Sequence, residues 1–91
     1  MKKYYECHIT LIAKPESKTH LEKETGWKFS IIDGDPLLGD GIKSYLTRHY
    51  PKTMSEADII KEMKYASDIC IVHGFDVLRA KIELVLYDDI K

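Results

Sequence analysis

Tyr4-Tyr5-Glu6-Cys7-His8-Ile9-Thr10-Leu11-Ile12-Ala13 decides the fold. The run alternates with period two, as a strand does when one of its faces lies on a core. Tyr5, Cys7, Ile9, Leu11 and Ala13 point to one side. Glu6, His8 and Thr10 point to the other, so an acid, an imidazole and a hydroxyl stand in a row.

Working outward, Lys14-Pro15 ends this strand, and Pro15 suits a first helical turn. Residues 16–25 read as a short helix closed by Gly26, with a solvated loop as the alternative because Leu21 is the sole apolar residue there. Residues 27–33 alternate again, with Trp27, Phe29 and Ile31 inward and Lys28 and Ser30 outward. The glycines, proline and aspartates of 33–41 mark a long turn. Residues 42–50 form the next strand, closed by Pro51, with Ile42, Ser44 and Leu46 inward and Lys43, Tyr45, Thr47 and His49 outward.

Ser55 caps a helix whose stripe is Ile59, Ile60, Met63, Ala66, Ile69, Cys70 and His73, and Gly74 stops it. Residues 77–87 make the last strand, with Leu78, Ala80, Ile82, Leu84 and Leu86 inward and Arg79, Lys81 and Glu83 outward. The order β-α-β-β-α-β predicts an α+β, ferredoxin-like split βαβ sandwich occupying residues 1–91 as one domain. Right-handed crossovers put the first strand at the centre of a four-stranded antiparallel sheet, with helices on one face.

Composition bounds the function. The 91 residues are 44% hydrophobic and 32% charged, which fits a folded globular domain. Lys+Arg 14 against Asp+Glu 15 gives a formal charge of -1, so no global basic field draws nucleic acid or membrane. Tyr45 with Arg79 and Lys81 is a weak stacking platform, and nucleic acid is not an expected partner. No apolar run approaches the ~18 residues of a span, and Met1-Lys2-Lys3 leads into a strand. A cytoplasmic protein is expected, with Cys7 and Cys70 as buried free thiols.

The uncovered sheet face is the candidate site. Cross-strand neighbours lie roughly 5 Å apart, which brings His8 and Thr10 near Tyr45, Thr47 and His49 on one side and Arg79, Lys81 and Glu83 on the other. His8 and His49 are the candidate catalytic pair, able to exchange protons near neutral pH. Thr10, Tyr45, Thr47, Arg79, Lys81 and Glu83 are the candidate ligand-binding residues, with the cations and hydroxyls suited to a phosphate or carboxylate. The expected ligand is therefore an anionic small molecule, phosphate-bearing or nucleotide-like. No cofactor is required. The alternative is a divalent metal held by Glu6, His8, His49 and Glu83. The Asp33-Gly34-Asp35 corner lacks the length of a calcium loop and reads as a turn.

His8-Ile9-Thr10 resembles one half of the paired His-x-Thr/Ser motif of the two-histidine phosphoesterases. The second half stands here in reversed order, Thr47-Arg48-His49, and that family's chain is longer. The resemblance implies an analogous chemistry, a His-dependent phosphoester hydrolase or lyase, without membership. Two competing expectations use the same residues. A polar sheet face answers to solvent alone. A non-catalytic interaction module, such as a homodimer, would use the open face or an edge strand through Tyr4, Ile12, Tyr45, Val77, Val85 and Tyr87.

Overall fold

The alternation becomes a twelve-residue strand, β1 (Lys2–Ala13). The computed structural model describes residues 2–31, 37–38 and 41–87. Cys7, Ile9, Leu11 and Ala13 are buried, while Glu6 and His8 on the other face stay partly exposed.

Pro15 opens a 3₁₀ turn, Pro15–Ser17, that runs into α1 (Lys18–Thr25). Gly26 ends the helix at φ 75°, and its N–H donates to the Glu22 carbonyl at 2.9 Å. That left-handed backbone favours glycine. Leu21 is the helix's one buried residue. Polar contacts add to its hold: the Phe29 N–H donates to Glu22 Oε2 at 2.8 Å, and Thr25 Oγ1 accepts from the Trp27 N–H at 3.0 Å.

β2 (Lys28–Ile31) follows, with Phe29 buried and Lys28 and Ser30 exposed. Where a turn was expected, Leu37 and Leu38 form a further two-residue strand, β3 (Leu37–Leu38). It pairs with Gly41 and Ile42 of β4 (Gly41–Pro51), so the hairpin arms keep their backbone groups paired beyond β2. The Asp33-Gly34-Asp35 corner lies outside the described residues. In α2 (Glu56–Val72), Ser55 Oγ accepts from the Asp58 N–H at 3.1 Å, as expected of an N-cap. Ile59, Met63, Ala66 and Cys70 are buried. Ile60 is 44% exposed and His73 is exposed as well, so the apolar stripe is narrower than the sequence suggested.

The sheet runs β2-β4-β1-β5, where β5 is Asp76–Tyr87, and every pairing is antiparallel. β1 is central. Leu21 of α1 and Ile59, Met63, Ala66 and Cys70 of α2 join Cys7, Ile9, Leu11, Phe29 and Leu46 in one core, leaving the Glu6–His8–Thr10 face uncovered. The chain is therefore α+β, with an open antiparallel sheet and two helices. Among the described residues, no helix is long and apolar enough to cross a membrane.

β5 departs from its expected faces. Its register with β1 shifts between Thr10 and Leu11, so Arg79 faces Thr10 and Val77 faces Leu11. Leu78 is the extra residue of this bulge and is 52% exposed instead of inward. Val77, expected on the open face, packs against the core instead. Ala80 and Leu84 are also exposed. They share a strand face with Ile82, which packs on the core, and an open groove between β5 and α2 borders Ala80. The side chains of Leu86 and Tyr87 lie outside the described residues.

Candidate functional site

Register alone assembles the site. On β1, Glu6 faces His49 of β4 and Glu83 of β5; His8 faces Thr47 and Lys81; Thr10 faces Tyr45 and Arg79. Each triplet spans three strands at one level of the sheet. Period-two geometry sends all nine side chains to the uncovered side.

A depression of about 290 Å³ opens there, lined by His8, Thr10, Ser30, Tyr45, Thr47, Arg79, Lys81 and Glu83. Thr10 lies at its floor and is 8% exposed. Ser30 of β2 was not among the expected residues. Its outward position was legible, but its pairing with Tyr45 was not. Glu6 and His49 stand just beyond the depression, one level along the strands.

The groups form a chain in which imidazoles and an ammonium alternate with carboxylates. His49 Nε2–H donates to Glu6 Oε2 at 2.9 Å. The other Glu6 oxygen lies 3.3 Å from His8 Nε2, and Glu83 Oε1 lies 4.0 Å from the same nitrogen. Lys81 Nζ is 3.5 Å from Glu83 Oε2. Two carboxylates facing His8 Nε2 require that nitrogen to carry the proton. In the neutral ring Nδ1 is then the acceptor, and it takes the Thr47 hydroxyl proton across 3.1 Å. Thr47 thus holds the ring plane of His8, and the two carboxylates set its tautomer. Tyr4 packs its ring on His49 at 4.9 Å between centroids.

Electrostatics follow the contacts. The His49 hydrogen bond holds the Glu6 carboxyl below its ordinary range, desolvation opposes this, and His8 lowers it further. On the core side, burial pushes the Cys7 thiol up to about 11, with the Glu6 charge adding to it. Burial likewise raises Cys70 to about 11. Both cysteines are free, and thiols so raised are poor nucleophiles.

Arg79, opposite Thr10, takes part in none of the ion pairs among the described residues. Its unneutralised guanidinium gives the depression a cationic end. At the opposite end, one ligand atom each from Glu6, His8 and Glu83 lie within 4.8 Å of one another. This is an N/O donor set of the kind divalent metals accept, with Thr47 orienting the histidine from behind. His49 reaches that group through Glu6.

The remaining histidines are elsewhere. His20 Nε2 and His73 Nδ1 lie 3.3 Å apart at the ends of the two helices, and His73 Nε2 lies 3.7 Å from Glu24. Comparison with known protein families, with curated proteins and with solved structures finds no match to this chain.

Proposed function

We propose that the chain is a split βαβ, ferredoxin-like sandwich whose uncovered sheet face binds an anionic, phosphate-bearing small molecule such as a nucleotide. The element order and the central position of β1 support the fold reading. One observation carries the functional reading: two cations, four hydroxyl-bearing side chains and an oriented imidazole line a single depression. Arg79 grips the phosphate, and its fork suits two oxygens at once. Thr10 and Thr47 orient the anion. Lys81, shared with Glu83, adds charge at the rim.

His8 and His49 are the proton carriers of this site. His8 presents its protonated Nε2 between Glu6 and Glu83, and Glu6 joins the two imidazoles. A proton given up by one ring has a carboxylate path to the other, which suits phosphoester hydrolysis or elimination. Glu6 is thereby a positioning residue for both rings. The Glu6–His8–Glu83 trio favours a second reading, in which a divalent ion sits at the acidic end of the same depression.

Thermal denaturation with inorganic phosphate, AMP or a divalent ion added singly separates these readings. Phosphate or AMP should raise the melting temperature of wild type, and Arg79→Ala and His8→Ala should lose most of that rise. A rise produced by zinc or manganese alone, lost in Glu6→Gln, supports the metal reading. Equal rises in wild type and His8→Ala for every additive would sink both.

A further inference from the structure

The second feature of the molecule is a long strand edge. β5 stands at the end of the sheet order and, among the described residues, pairs only with β1. Edge strands are ordinarily shielded by charge, a bulge or a covering element. On β5 the bulge sits near the start and the charges, Arg79, Lys81 and Glu83, stand on the open-face row. The helix-side row is Ala80, Ile82 and Leu84, with Leu84 half exposed. Beside it runs an apolar groove of about 440 Å³ between β5 and α2, lined chiefly by Ile60, Met63, Ala80 and Ile82.

We propose that this edge pairs with the same edge of a second copy, antiparallel about a two-fold axis through Ile82. The sequence of β5 fits that partner. In this register Lys81 of each copy faces Glu83 of the other, repeating across the interface the ion pair already present within each chain. Ile82 meets Ile82 on the axis. Leu84 of each copy meets Ala80 of the other, at the mouth of the Ile60–Met63 groove. A two-fold centred on Lys81 would instead oppose two ammonium groups, which is unfavourable. Self-pairing about Ile82 therefore satisfies both rows of the strand at once, as an isologous interface requires. It joins the two sheets into one, keeps the helices of both copies on the same side, and leaves each depression open. Lys81 and Glu83 also line the depression, so the inference is separated from the ligand reading by its readout, the oligomeric state without ligand, and by Leu84→Lys on the helix side.

Size-exclusion chromatography with light scattering tests it on the full chain. Wild type should run as a dimer. Leu84→Lys, an exposed position that folding does not need, should run as a monomer. Lys81→Glu should also dissociate the dimer, and Lys81→Glu with Glu83→Lys should restore it. A monomeric wild type overturns the proposal. So does a dimer that survives both Leu84→Lys and Lys81→Glu, since it must then use another surface.

Discussion

Glu6 holds the two imidazoles of the site with its two oxygens, His49 at 2.9 Å and His8 at 3.3 Å. Its carboxyl is held below the ordinary range chiefly by His49. The sign of the consequence follows from linkage. A carboxyl that ionises more easily in the folded chain contributes stability above its unfolded-state pKa, and that contribution fades as pH falls through the lowered folded value. Glu6→Gln removes the titrating group. Urea midpoints measured at neutral and at acid pH should show wild type losing more stability on acidification than Glu6→Gln does. An equal loss in both would mean that the Glu6–His49 contact carries no free energy. Tyr50 shows a different kind of singularity: its hydroxyl is buried without a hydrogen-bond partner among the described residues, and burial raises the phenol's pKa. Its ring still packs edge-on to Trp27 at 6.3 Å, with Arg48 5.2 Å from its centroid.

β1 joins the core to the site, and its two faces should respond differently to truncation. Ile9 is fully buried between the sheet and the helices, so Ile9→Ala should cost about 2–5 kcal/mol. Thr10 lies at the floor of the depression, buried but away from the helix-covered core, and Thr10→Ala, which removes fewer apolar atoms, should cost less than Ile9→Ala. Chemical denaturation of the two variants checks the order, and a reversal would mean the strand faces are inverted. The faces of β1, β2 and β4 were legible because their inward rows, Cys7, Ile9, Leu11, Phe29 and Leu46, all enter the one core shared with the helices. β5 was legible only in part. Its open-face row could be read from Arg79, Lys81 and Glu83. The bulge that exchanges Val77 for Leu78 on the core leaves no mark in the alternation, because both residues are apolar. The exposure of Ala80 and Leu84 depends on how closely α2 seats on β5, where a groove remains open, and a strand's own sequence holds no record of that. β3 was hidden for a similar reason: Leu37-Leu38 is too short to show a period, and only its pairing with Gly41 and Ile42 makes it a strand.

The whole molecule separates its roles by side. Helices and core occupy one face of the sheet, the polar chain from His49 to Lys81 occupies the other, and the β5 edge offers self-complementary rows. That His8, Thr10, Thr47 and Arg79 share one face was readable from strand order and period, whereas their levels along the strands come from the register. The alternating contacts His49–Glu6–His8–Glu83–Lys81 were not readable, because side-chain reach and the tautomer of His8 depend on geometry that spacing does not contain. The anion-binding reading depends on those contacts facing a ligand and not solvent alone. Titration of AMP into isotopically labelled protein, followed by amide NMR, examines this most directly. The account predicts saturable shifts concentrated at residues 8–10, 45–49 and 79–83, with little change at Ile59, Met63 or Cys70. Shifts that do not saturate, or that centre on α2, would contradict it.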